Sequence, residues 1–244
     1  MKKLDHKELL DAGVHFGHLK SKWNPKMLQY IFMEKKGIHL IDLNKTIVKA
    51  EEAANALKQV AKSGRKILFV ATKKQAKEQM KALAESVNMP HVTERWLGGM
   101  LTNFGTIKKS IKKMQTIDTL LADESNTSLT KKERLMMSRQ RAKLETVLGG
   151  MKDLNRLPAA VFMVDVLHEH IAVAESRKLN IRTFGMVDTN SNPNLIDFPI
   201  PANDDASKSI NIITEYIIGS VKEGLEERES KEGAKKEEPS EKKA

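Results

Sequence analysis

The chain has 244 residues, 42 Lys and Arg against 32 Asp and Glu, a net charge of +10 and no cysteine. The lack of cysteine excludes disulfides, thiolate metal sites and cysteine nucleophiles, and suits a reducing compartment, the cytoplasm. Surplus positive charge with only 5% aromatic residues points to a polyanion held by its phosphates and shape rather than by stacked bases.

The start, Met1 to Glu8, lacks the apolar run of a signal peptide, and no run approaches the roughly 20 apolar residues that span a bilayer, so no membrane partner is expected. Asp5-His-Lys-Glu8 fits a capping box ahead of Leu9 and Leu10 and predicts a short helix. Gly13 and Gly17 end that regularity, and Lys20 to Lys26 reads as a basic loop holding Trp23 and Pro25. Tyr30 to Met33 and Ile38 to Ile41 read as two short strands around the turn Glu34 to Gly37. Asn44 is expected to cap a helix from Lys45 to about Lys62, with Gly64 as its stop. Lys66 to Ala71 is an apolar run suited to a buried strand, and Thr72-Lys-Lys-Gln75 reads as a capping box for a helix to about Val87. A short strand is expected at His91 and Val92.

Residues 103–152 break this rhythm. They hold no strand pattern, and they carry eleven Lys and Arg against five Asp and Glu, which is six of the chain's ten net positive charges. Phe104, Ile107, Ile111, Met114 and Leu121, with Ile117 beside them, follow a helical stripe; Leu144, Leu148 and Met151 do so on the return, and a polar tip lies at Ala122 to Leu129. Thr130-Lys-Lys-Glu133 is a capping box that starts the second arm. Each arm of about 20 residues would reach about 30 Å. Lys108, Lys109, Lys112 and Lys113 repeat at four-residue spacing, where like charges cost a few tenths of a kcal/mol each, so an outside anion is expected to compensate.

The candidate nucleic-acid contacts are therefore Lys108, Lys109, Lys112, Lys113, Lys131, Lys132, Arg134, Arg139, Arg141 and Lys143 on the arms. Lys20, Lys22, Trp23 and Lys26 join them from the amino-terminal loop, and Arg95, Trp96 and Asn103 from the hairpin's base. Trp96 reads equally well as a core residue at a tight turn through Gly98 and Gly99.

Beyond the interruption, Ala159 to Val164 is a second buried strand ending in Asp165, followed by a helix from His168 to Leu179. Ile181 to Val187 is a third, ending in Asp188, and the proline-limited Asp197 to Ile200 a fourth, near an edge. Asp204 or Asp205 is expected to cap a final helix from Ala206 to about Glu223. Strands alternating with helices imply an α/β fold with a parallel sheet covered on both faces. The expected organisation is a first α/β part over 1–102, the basic hairpin over 103–152, a second α/β part over 153–224, and a disordered Lys/Glu-rich tail over 225–244.

His168, Asp188 and Asp205 lie where open α/β sheets collect ligands, and a metal or an acid/base pair assembled from them is one reading. The preferred reading is that they cap helices and satisfy loop backbone, with no cofactor and no catalytic residue. No Gly-x-Gly-x-x-Gly, no Gly-x4-Gly-Lys-Ser/Thr and no Gly-x-Ser-x-Gly occurs, so no small-molecule substrate is expected. The rival classes are an enzyme using the strand-end pocket, a free-standing RNA chaperone, and a scaffold whose charge only keeps it soluble.

Ala12-Gly-Val-His-Phe-Gly-His18 followed by Trp23-Asn-Pro-Lys-Met27 resembles the amino-terminal signature of the bacterial small-subunit ribosomal protein two family. Lys66 to Lys73, Arg95 to Asn103, Leu129 to Glu133, Asp165 to Ile171, Val187 to Pro193 and Ile200 to Asp205 resemble its interior blocks, in order, from about Leu9 to Gly224. The resemblance implies a three-layer flavodoxin-like parallel sheet with an inserted antiparallel coiled-coil hairpin. It implies a non-enzymatic constituent of the small ribosomal subunit that contacts small-subunit rRNA, bridges head and body, touches neighbouring ribosomal proteins and helps dock the mRNA-binding ribosomal protein one; the small apolar seam of the hairpin suffices for a pair within the chain, so a monomer is expected. It also implies that some members hold a divalent metal near the aspartates matching Asp188 and Asp205.

Overall fold

The computed structural model describes residues 4–122 and 130–237. A short helix α1 (His6–Asp11) opens the described chain. Asp5 precedes it but makes no side-chain cap, so the expected capping box does not form. Next comes a small antiparallel sheet of β1 (Phe16–Leu19), β2 (Ile31–Lys35) and β3 (Ile38–Ile41), in the order β1-β3-β2. The β2–β3 turn has Lys36 at φ 53° and Gly37 at φ 76°, the left-handed pair that two-residue hairpins need to match strand twist. β1 falls where the glycines had suggested irregular chain. Gly17 lets it lie against the loop after Val187, because a Cβ there would sit 2.5 Å from the Thr189 methyl group.

Helix α2 (Leu43–Lys62) is capped by Asp42, whose carboxylate accepts the Asn44 amide, rather than by Asn44. The main sheet then builds up from β4 (Ile67–Val70), helix α3 (Lys77–Ser86), β5 (His91–Val92), helices α4 (Phe104–Ala122) and α5 (Lys131–Leu148), β6 (Ala160–Met163), helix α6 (His170–Lys178), β7 (Arg182–Val187), β8 (Phe198–Pro201) and helix α7 (Ser207–Glu237). Its order is β5-β4-β6-β7-β8, and every pairing is parallel. Counted along the chain, that is 2-1-3-4-5, the flavodoxin-like winding. The first, third and fourth strands are the apolar runs read from sequence, and proline-bearing β8 lies at the edge.

Successive strand residues point to opposite faces, so two cores form. Ile67, Phe69, Phe162 and Phe184 pack under α2, α3 and α7. Leu68, Val70, Val161 and Met163 pack under α6 and the roots of α4 and α5, through Met100, Ile107, Ile111, Leu148 and Met151. Each fully buried phenylalanine contributes about 1.5–3 kcal/mol.

Three local expectations are corrected. Thr72 does not cap α3; its amide and hydroxyl both donate to Glu169, and α3 begins at Lys77. Asp204 and Asp205 turn to Lys73 rather than cap α7; in the turn before the helix the Asn203 side chain accepts the Asp205 and Ala206 amides. The expected disordered tail is helical to Glu237, and 238–244 lie outside the described residues. The extension has a packing cause: Lys58 and Lys62 of α2 pair with Glu223 and Glu227, and Leu225 packs against the core. Among the described residues no helix is long and apolar enough to cross a membrane.

Candidate nucleic-acid interface

The two helices of residues 103–152 pack on one another as the stripe suggested. Ile107, Ile111, Met114 and Ile117 of α4 are buried, facing α5 or the sheet's second core. Thr130 starts α5 with a complete capping box: its amide donates to Glu133, and its hydroxyl accepts from the Glu133 amide. Arg141 reaches across to Asp118 at 2.6 Å, fastening one arm to the other, and that carboxylate raises its pKa. The tip expected at Ala122 to Leu129 lies outside the described residues from Asp123 onward.

Burying this seam leaves the cations outside. Lys108, Lys109, Lys112, Lys113, Lys131, Lys132, Arg139 and Lys143 are exposed, and Arg134 and Arg141 are half-buried. Among the described residues, no carboxylate pairs with Lys109, Lys112, Lys113, Arg139 or Lys143. Lys108 donates to the Asn155 carbonyl at 3.2 Å, so its ammonium hangs over a groove that Lys109, Lys112 and Lys152 also line.

The other predicted contacts divide. Arg95 is exposed at the hairpin's base. Asn103 caps α4: its backbone carbonyl accepts from the Thr106 and Ile107 amides. Trp96 is 7% exposed and its indole N–H donates to Glu175 at 3.1 Å, which corrects the expectation of an RNA-touching ring and favours the core reading. In the amino-terminal loop Lys22 and Lys26 are exposed, Lys20 pairs with Glu34 at 2.7 Å, and Trp23 packs on the His39 ring.

A second concentration of charge sits at the carboxyl ends of the parallel strands. Lys73 follows β4, Asp165 follows β6, Asp188 follows β7, and Asp204 and Asp205 precede α7. The Lys73 ammonium lies 2.7 Å from Asp205, 2.9 Å from Asp204 and 3.1 Å from Asp165. Burial raises the pKa of Asp204 to about 7, with Asp165 and Asp188 adding repulsion and Lys73 opposing it. Asp205 is held below the usual carboxylate range by Lys73. His18 Nδ1 lies 3.0 Å from Asp188 and Nε2 3.5 Å from Asp205, and the bond to Asp188 raises its pKa above 6.5.

This corrects the predicted metal set. His168 is exposed on the loop and contributes only its backbone N–H, to Asp165. The histidine beside Asp188 and Asp205 is His18, delivered by β1 from the other end of the sequence. One ring nitrogen and two carboxylate oxygens lie within 4.8 Å of one another, a mixed nitrogen and oxygen donor set that suits zinc or a similar divalent ion. Spacing along the chain could not have found His18, because it reaches the cluster only through the small sheet.

That sheet also carries a surface the cation count overlooks. In an antiparallel pair, opposite residues share a face. Phe16 and Met33 both pair with Leu40, and Leu19 and Lys35 both pair with Ile38. Phe16, Leu19 and Met33 therefore form one outward apolar face, with Leu28 at 66% and Phe32 at 70% exposure nearby.

Comparison with known proteins places the chain in a family. A profile of the family described as Ribosomal protein S2 matches residues 9–224. The chain is 61% identical over 243 residues to the small ribosomal subunit protein uS2 of Cytophaga hutchinsonii, covering 99% of this chain and 96% of that one. It is 60% identical over 230 residues to the uS2 of Phocaeicola vulgatus, covering 94% and 82%. With the uS2 of Christiangramia forsetii it shares 60% identity over 228 residues, covering 93% and 76%. The match takes in the whole sheet, the cationic helices and the acidic strand ends together: the chain belongs to the ribosomal protein S2 family.

Proposed function

We propose that this chain holds small-subunit rRNA through the outward cationic faces of α4 and α5, acting as an antiparallel coiled-coil hairpin, with Lys22 and Lys26 as a second contact. The family is a structural, non-enzymatic component of the small ribosomal subunit, serving translation. The reading within that role rests chiefly on one observation: Lys109, Lys112 and Lys113 stand exposed in tandem with no carboxylate against them among the described residues. The low aromatic content favours phosphate and shape contacts over base readout. The protein sits as a monomer in the cytoplasmic ribosome, bridges head and body, and the apolar face of β1–β3–β2 meets a protein neighbour, with docking of ribosomal protein one as its task.

A divalent cation fits His18, Asp188 and Asp205. It would supply no reaction; those residues would use it to tie the small sheet to the strand ends. Titrating an rRNA fragment against salt tests the main reading. Affinity should fall with a log–log slope of several units, because each neutralised phosphate releases counterions. Replacing Lys108, Lys109, Lys112 and Lys113 together with Glu should flatten that slope and block subunit incorporation while the circular dichroism of the sheet is retained. A flat slope for the parent, or normal incorporation of the fourfold variant, overturns the assignment.

A further inference from the structure

The carboxylate of Glu175, met above only as the acceptor of the Trp96 indole, is among the most heavily engaged groups in the molecule. Its side chain leaves α6 and is 7% exposed. One oxygen accepts from the Gly99 amide at 2.7 Å and the Trp96 indole at 3.1 Å. The other accepts from the amides of Leu101 and Thr102, both at 3.0 Å, and the Thr102 hydroxyl at 3.1 Å. Burial pushes its pKa up, but the amides of Thr102, Gly99 and Leu101 and the Trp96 indole outweigh that and hold it below the usual range.

Three successive-turn amides converging on one anion form a nest of the kind that binds phosphates elsewhere. Here the nest is filled from within, by a side chain on a helix packed into the core through Ala172 and Val173. Gly99 sits at φ +91°, a conformation that residues with a Cβ rarely adopt, which lets the loop fold around the carboxylate. The segment so gripped, 96–102, runs directly into Asn103 and α4. The other arm is clamped as tightly: a Cβ on Gly150 would lie 2.3 Å from the His91 carbonyl.

We propose that Glu175 is the positioning residue that sets the direction in which the α4–α5 pair leaves the sheet. Its importance for function rests on the rRNA reading, because a cationic hairpin presents its lysines to a folded RNA only at a fixed angle. A freed loop would let α4 pivot about Asn103 without unfolding.

The chain has no cysteine, so Asn55→Cys on α2 and Thr119→Cys on α4 can carry a unique pair of spin labels in the full-length protein. The parent should give one narrow distance distribution. Glu175→Gln keeps the size but turns two of the donors against an amide NH2; the distribution should broaden or shift while helix content is kept. Affinity for an rRNA fragment should fall about tenfold with an unchanged salt slope, since the phosphates contacted stay the same in number. Thr102→Val, which removes one donor only, should give a smaller change in the same direction and serves if Glu175→Gln does not fold. Distributions identical to the parent in the folded variants, even with a lowered melting temperature, would reduce Glu175 to a stabilising residue and overturn the proposal. If the distances change but the lysine-to-glutamate variant still binds RNA normally, the positioning role stands and the rRNA reading falls.

Discussion

On α4, Lys109, Lys112 and Lys113 face solvent, and among the described residues no carboxylate meets them. At the strand ends, Lys73 touches three carboxylates at once and His18 touches two more oxygens. Both regions are dense in charge, and both would look functional on a count of titratable residues. They differ in whether the charge is already answered. The fold has used the Lys73 cluster to hold β4, β6 and the start of α7 together, whereas it leaves the hairpin's repulsion uncompensated. An unanswered charge pattern points outward to a partner; an answered one mainly describes how the chain holds itself.

The largest effect that would break this contrast is the fourfold charge reversal on α4, expected to abolish incorporation without unfolding. Next is Lys73→Met. Removing the cation strands Asp165, Asp204 and Asp205 together, and urea denaturation should show a loss of about 3–5 kcal/mol. Asp204→Asn should cost far less, because that carboxyl already resists ionisation. Equal losses in the two variants would show that Lys73 is not the keystone of the cluster.

The His18 contact sharpens the comparison through pH. Its folded pKa lies above the ordinary 6.5, so the pair's stabilisation is complete below that value and is lost as pH rises through the folded pKa. In chelator, the stability gap between the parent and His18→Gln should shrink from about pH 6 to about pH 8. With added zinc the trend should reverse, since a metal takes the neutral imidazole. A zinc-independent gap would remove the cation from the proposal. The smallest effect belongs to Arg141→Ala, whose pair with Asp118 lies at the surface and is screened by solvent: its thermal melt should shift least of the set.

The parallel strands were legible because burial on both faces demands continuous apolar runs such as 67–70 and 160–163. Helices α4 and α5 were legible because a helix buries one stripe and must put its lysines elsewhere. Thr130 kept its cap, since nothing distant competes for its hydroxyl. Thr72 and Asp204 carried the same local signals and lost them to Glu169 and Lys73, groups remote in sequence that only the folded sheet brings near. His168 occupied the right place on a strand-end argument and the wrong one in space. His18 entered the cluster through the pairing of β1 with β3, and a stretch framed by Gly13 and Gly17 gave no strand pattern to reveal it. Trp96 was balanced between two readings until Glu175 appeared opposite its indole.

Gly17 has one further effect. With no side chain there, β1 lies flush on Thr189, and the neighbouring His18 amide donates to the Thr189 hydroxyl at 2.8 Å. Phe16 is on the outer face of that strand and His18 reaches the acidic edge, so the greasy exterior and the carboxylate cluster are two ends of one lever. A single four-residue strand therefore joins the apolar exterior to the imidazole beside Asp188.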